Sequence, residues 1–172
     1  ALSYLEFVPP GNATALGVYS LFEDWGFKNC IGVLYLAPPG SDIDNTSVGS
    51  FYPAKLLAQL REQKLNWGIL TNGALWRLYS TKSSRPYEDY VELPLEQALE
   101  GSDEAEYGLF ERFFHKDSFI AEDVDDAEAG QQDESVGVYK CRLDRDREQS
   151  EQMLEDYVKT PFLAQVDEVL QY

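Results

Sequence analysis

The chain has 172 residues, 44% of them hydrophobic and 13% aromatic, enough for one domain with an appendage and a buried core. Thirty-one Asp and Glu face 14 Lys and Arg, a net charge of −17. Such a charge repels DNA phosphates and anionic membranes, so the chain as a whole is not a basic nucleic-acid binder. The two cysteines, Cys30 and Cys141, cannot form a disulfide framework, which points to a reducing, cytoplasmic compartment. There is no signal-peptide pattern and no apolar run of membrane-spanning length, and no membrane partner is expected. The absent initial Met and the end at Gln171-Tyr172, inside a helical pattern, suggest a segment of a longer polypeptide.

Taken in chain order, Ser3 to Val8 reads as β-like and Pro9-Pro10-Gly11-Asn12 ends it. Thr14 to Gly26 reads as a short helix, with Leu16, Tyr19, Leu21, Phe22 and Trp25 on its apolar face. Cys30 to Ala37 is a continuous apolar run, expected to be a strand buried on both faces. Pro38-Pro39-Gly40 stops it, and residues 41–52 are polar and loop-like. Pro53 opens a helix through about Lys64 with Leu56, Leu57 and Leu60 buried, since Pro is favoured in a first helical turn.

Residues 66–79, Asn-Trp-Gly-Ile-Leu-Thr-Asn-Gly-Ala-Leu-Trp-Arg-Leu-Tyr, carry the clearest local signal. Asn72-Gly73 between two strand-like runs predicts a hairpin with a two-residue type I′ turn. That register sets Thr71 opposite Ala74, Ile69 opposite Trp76 and Gly68 opposite Arg77, with room over Gly68 for the long side chain. It puts Trp67, Ile69, Trp76 and Leu78 on one face. Val91 to Leu93 reads as a strand, and Pro94–Leu99 and Glu104–Phe114 read as helices. Glu122 to Glu134 holds seven acids and no base, a solvated linker or mobile loop by composition. A sharper reading of that stretch is a mimic of DNA charge. Arg142 to Lys159 reads as a charged helix with Met153, Leu154, Tyr157 and Val158 as its apolar stripe. Thr160-Pro161 starts another.

The expected fold is α/β (α+β): a small mixed sheet flanked by helices over residues 1–120. An acidic linker at 121–135 and a C-terminal helical connector at 136–172 follow it.

The Pro-led helix ending in Leu60-Arg61, the spacer, and the pair Trp67–Gly73 and Leu75–Tyr79 resemble the N-terminal region of large restriction–modification polypeptides. These are the type IIG fused restriction–methylase enzymes and related phage-defence proteins. Phe113-Phe114-His115-Lys116-Asp117-Ser118-Phe119 and the helix from Arg145 resemble the segments that follow, the latter a connector to an adenine-specific DNA methylase domain. The resemblance covers about residues 50–172. It implies a restriction-endonuclease-like PD-(D/E)xK fold, double-stranded DNA and the remainder of the polypeptide as partners, and S-adenosylmethionine bound only in a separate methylase domain. In active members the strand before the Pro-led helix ends in Glu-x-Lys. Here Leu36-Ala37-Pro38 stands in that place, which implies a degenerate nuclease fold.

Metal-dependent phosphodiester cleavage needs carboxylates converging on Mg²⁺ and a Lys near the scissile phosphate. The candidate catalytic set is Asp42, Asp44 and Lys55, and the candidate metal set is Asp42, Asp44 and Glu23. Against it stands the reading that Asp42 and Asp44 cap turns. Lys55, Arg61 and Arg77 are the candidate DNA contacts, and a basic stripe that also includes Lys64, Lys82 and Arg85 is what DNA docking would require. His115, the sole histidine, reads as structural or surface, and both cysteines as packing thiols. Three functions stand: a degenerate accessory domain serving docking or DNA positioning, an active Mg²⁺-dependent endonuclease with a displaced site, and an interaction module without DNA contact.

Overall fold

The computed structural model describes residues 17–47, 49, 51–96, 104–123 and 139–153. The chain divides into two compact units, Ala1–Ile120 and Ala121–Tyr172. The expected strand at Ser3–Val8 and the helix from Thr160 lie outside the described residues.

The first unit is a small α+β fold built on a five-stranded mixed sheet. Its strands are β1 (Val18–Phe22), β2 (Cys30–Leu36), β3 (Trp67–Thr71), β4 (Leu75–Ser80) and β5 (Tyr90–Pro94), side by side in that order. Only β2 and β3 are parallel, and helix α1 (Tyr52–Gln63) makes the crossover between them. The other pairs are antiparallel.

The segment expected to be a helix at 14–26 is strand β1 over 18–22. Its residues Val18, Tyr19, Ser20 and Leu21 pair with Tyr35, Leu34, Val33 and Gly32. The helix-like spacing of its apolar residues is too short to outweigh a ladder against the apolar run of β2. Its β-branched and aromatic residues favour that ladder. The run at 30–37 is β2, an interior strand whose Val33, Leu34 and Tyr35 are buried.

Helix α1 begins with Pro53 in its first turn and ends at Lys64, which takes the left-handed conformation at φ +57°. Leu56, Leu57 and Leu60 pack with Val18, Val33, Tyr35, Leu70 and Tyr79 on one face of the sheet. Gly68 lies under this helix. A methyl group there would sit 2.9 Å from both Leu56 Cδ1 and Leu60 Cδ1, so the glycine sets how closely α1 approaches β3. Its opposite number is Tyr79, not Arg77.

The register of β3 and β4 differs from the expected one by two residues: Thr71 pairs with Trp76, Ile69 with Leu78 and Trp67 with Ser80. Asn72 does not take the positive φ that a type I′ turn requires; Gly73 alone in the turn does, at +94°. The Asn72 side chain closes a wider loop instead. Its Oδ1 accepts hydrogen bonds from the amides of Ala74 (3.1 Å) and Leu75 (2.9 Å). A slip of two residues preserves the alternation of side chains, so Trp67, Ile69, Trp76 and Leu78 still share a face and are all buried.

That second face is covered by helix α2 (Glu104–Phe114). Trp76 meets Phe110 and Phe114 edge-on at 5.4 and 5.6 Å. A 3₁₀ turn, Lys116–Ser118, follows, started by His115, whose Nδ1 accepts from the Asp117 amide. Pro94 ends strand β5 rather than opening a helix. Residues 95–96 are helical, and 97–99 of the expected helix lie outside the described residues.

In the second unit, β6 (Ala121–Asp123) pairs antiparallel with β7 (Tyr139–Cys141), and residues 142–153 form helix α3. Asp144 Oδ2 accepts from the Cys141 amide at 3.4 Å, bracing the helix start in the manner of a capping box. Met153, expected on the apolar stripe, is exposed. Residues 124–134 of the acidic stretch lie outside the described residues.

Candidate functional site

Two places bear on chemistry: the carboxyl end of β2, and a buried arginine on β4. In open mixed sheets, ligands gather beyond the carboxyl ends of parallel strands. Here the end of β2 is Tyr35-Leu36-Ala37, with Tyr35 and Ala37 buried and Leu36 exposed. Gly17, which precedes β1, lies beside this end, and its carbonyl accepts from the Leu36 amide at 2.6 Å. Ala37 in turn donates its amide to Thr71 at the end of β3. No carboxylate, histidine, lysine or arginine occupies residues 35–38.

The chain does contain one Glu-x-Lys triplet, Glu62-Gln63-Lys64. It closes α1 rather than a strand. Gln63 Oε1 there accepts from Ser20 Oγ at 3.5 Å and from Cys30 Sγ at 3.7 Å. Cys30 begins β2, so the triplet sits at the opposite end of the sheet from Leu36.

The candidate metal set is not assembled. Glu23 lies in the turn after β1 and accepts from Asn29 Nδ2. That turn leads into the start of β2, whereas Asp42 and Asp44 follow its end. Seven extended residues, about 20 Å, separate the two ends. Asp42 Oδ1 accepts from the Asp44 amide at 2.9 Å, the turn-capping alternative. Asp44 turns to Arg77. Lys55 Nζ donates to the Gly49 carbonyl at 2.5 Å and lies 5.3 Å from the centre of the Tyr52 ring. Among the described residues, no three His, Cys, Asp or Glu side chains stand together as a metal-binding group.

Arg77 is 3% exposed, and every edge of its guanidinium is engaged. Nε donates to Glu92, its partner across β4 and β5, at 2.5 Å. Nη1 and Nη2 donate to Asp44 Oδ1 and Oδ2 at 2.6 and 2.9 Å, a two-pronged contact. Nη1 also lies 3.5 Å from the Tyr79 hydroxyl, and the guanidinium stacks on Tyr90, 4.4 Å from the ring centre. Burial alone would disfavour the charge of Arg77, but its hydrogen bonds to Asp44, Glu92 and Tyr79 outweigh that and raise its pKa. The Arg77 hydrogen bond holds the Asp44 carboxyl below its usual range. Burial pushes the Tyr79 hydroxyl up to about 12.

The arginine expected at a DNA surface is therefore enclosed, and it interrupts the basic stripe. Of the other stripe members, Arg61 is exposed in the last turn of α1. Arg85 faces Glu88 and Asp89 at 3.4 and 3.3 Å. The Arg77 cluster was missed because Asp44 and Glu92 lie 33 and 15 residues away along the chain. The one usable signal is an arginine in an otherwise apolar strand, whose burial demands carboxylate partners.

The loop bearing Asp44 is fixed at two further points. Ile43 is buried in the α1 core, and Asn72 Nδ2 donates to the Ser41 carbonyl at 2.9 Å. No described helix is long and apolar enough to cross a membrane. Compared with protein-family models, curated proteins and solved structures, the chain finds no match.

Proposed function

We propose that this chain is an accessory segment of a restriction–modification polypeptide, with a nuclease-like sheet that no longer performs metal-dependent cleavage and serves to dock the methylase and recognition parts. The carrying observation is the carboxyl end of β2. Leu36-Ala37-Pro38 stands where the resembled family places its acidic–lysine triplet, and the nearest acids in sequence cap a turn and neutralise Arg77. Support for the family itself comes from the order β1–β2–α1–β3 with a parallel crossover and from the Trp67–Tyr79 strand pair. S-adenosylmethionine belongs to the methylase part, and double-stranded DNA reaches the assembly chiefly through those parts, because net −17 opposes contact here.

The alternative of an interaction module without DNA contact is favoured by Trp25, 74% exposed in the β1–β2 turn. The displaced-site nuclease, with Asp42, Asp44 and Lys55 acting on Mg²⁺, has no assembled site to support it.

The test is plasmid nicking in Mg²⁺ or Mn²⁺ with calorimetry of metal binding, on the native chain and on Asp42→Ala/Asp44→Ala. The expected result is no nicking and no saturable binding in either. Nicking and binding that vanish in the double variant would restore the nuclease. Docking is checked by titrating the segment into the separately prepared methylase part. Absence of binding there would leave the fold without the proposed role.

A further inference from the structure

The Arg77 cluster is asymmetric. The arginine is 3% exposed, but the Asp44 side chain that fills its Nη edge is 67% exposed. Glu92 holds the other edge through Nε and is 34% exposed. Tyr90 forms a floor beneath the guanidinium and Tyr79 a hydroxyl beside it. This is how proteins build a receptor for an oxyanion: a desolvated guanidinium, fixed by one carboxylate and one ring, with two parallel N–H groups turned towards a solvent-reached position. The occupant of that position comes from a loop.

We infer that the Nη edge of Arg77 is a binding position for a small oxyanion of the phosphate class, filled by the chain's own Asp44. Exchange needs no opening of the loop, because Ile43 and the Asn72–Ser41 bond hold its backbone while the Asp44 side chain rotates into water. On exchange the phosphate takes the Arg77 Nη edge while the Asp44 carboxylate moves into water and Glu92 stays in place, so emptying the edge by substitution also removes a repelling charge. The inference rests on this geometry and is independent of the restriction–modification reading.

An internal occupant lowers the apparent affinity by the fraction of time the position is free. An Asp44 seated nine-tenths of the time therefore weakens external binding by roughly tenfold. Asp44→Ala empties the position. The experiment follows inorganic phosphate binding by thermal shift and by calorimetry against chloride at matched ionic strength, in the native chain, Asp44→Ala and Asp44→Ala/Arg77→Lys. Asp44→Ser serves as a second variant if the alanine form fails to fold.

The expected result is saturable phosphate binding and a raised melting temperature in the single variant, with affinity at least roughly tenfold above the native chain. The lysine double variant, which keeps the charge and loses the fork, is expected to lose the response. An equal response in the native chain and the variants would be a general salt effect and would overturn the inference, as would no response in the single variants. In the native chain the Arg77 Nε–H resonance is expected to shift with phosphate and not with chloride, and a silent resonance counts against exchange. A short duplex oligonucleotide run beside phosphate separates the sources. Binding of both identifies a backbone phosphate as the ligand, and binding of phosphate alone identifies a free one.

Discussion

Gly68→Ala tests the packing of α1 on the sheet. The added methyl would meet Leu56 Cδ1 and Leu60 Cδ1 at 2.9 Å and Leu60 Cδ2 at 3.1 Å. Relaxed carbon contacts lie near 3.5–4.0 Å, so each neighbour would have to yield by about 0.5–1 Å. The contacts are to the ends of the two leucine side chains, which are fully buried in the cluster with Val33, Leu70 and Tyr79 and must repack there to yield. Overpacking of this kind costs about 1–3 kcal/mol. Against it, alanine gains about 0.5–1 kcal/mol over glycine in a strand interior, and the φ of Gly68 is not in the left-handed region. The net expectation is a loss of about 1–2 kcal/mol, read by urea unfolding as a lower midpoint at unchanged slope. Leu60→Ala in the same chain makes room for the methyl, so the double variant is expected to be more stable than the sum of the single losses by about 1 kcal/mol. An alanine variant as stable as the native chain, or strictly additive losses, would refute the close approach of helix and strand.

Asp44→Ala leaves Arg77 with Glu92 as its one carboxylate partner, beside the Tyr79 hydroxyl and the Tyr90 ring. The expected loss is about 1–2 kcal/mol, below that of a fully buried pair because Asp44 is 67% exposed. The folded Asp44 pKa lies below its ordinary 3.8. The stability it contributes is therefore complete above that value and lost as pH falls through the folded pKa. The gap between native and variant should stay constant in neutral urea titrations and close on acidification; a gap that widens in acid would refute the pairing. Asn72→Ala removes three hydrogen bonds, to Ser41, Ala74 and Leu75, with an expected loss of about 1–3 kcal/mol in the same assay. Phe114→Ala opens a cavity beside Trp76 and Phe110, with an expected loss of about 3–5 kcal/mol. Burial raises the Cys30 thiol and pushes Cys141 up to about 11, so both should alkylate slowly at pH 8 when native and fast in denaturant.

Much of the sheet was legible because its signals are local. The apolar run of β2, the Pro-led start of α1 and the leucines of its buried stripe each depend on a few neighbouring residues. The face shared by Trp67, Ile69, Trp76 and Leu78 survived an error of two in the register because strand alternation has period two. What failed depended on partners distant in sequence. Val18 to Phe22 has apolar spacing that suits a short helix, and only the ladder with β2 decides otherwise. Asn72-Gly73 carries the favoured dipeptide, yet the Asn72 side chain satisfies the turn amides itself and ties to Ser41, 31 residues away. The two-residue turn predicts Gly68 opposite Arg77, whereas it lies opposite Tyr79 and beneath the α1 leucines. At the candidate site, the spacing of Asp42 and Asp44 suggested convergence, but one carboxylate bonds a local amide and the other closes on Arg77.

The proposed loss of metal-dependent cleavage requires that the carboxyl end of β2 bind no divalent metal. The most direct measurement is a Mn²⁺ titration of the ¹⁵N-labelled chain, following paramagnetic broadening of each amide. With net −17, weak broadening spread over exposed acids is expected and should not saturate. Residues 35–44 should broaden no more than other exposed segments, in the native chain and in Asp42→Asn alike. Saturable broadening confined to Leu36–Asp44 and Gly17, and abolished by Asp42→Asn, would contradict the claim and return metal-dependent chemistry to this end of the sheet.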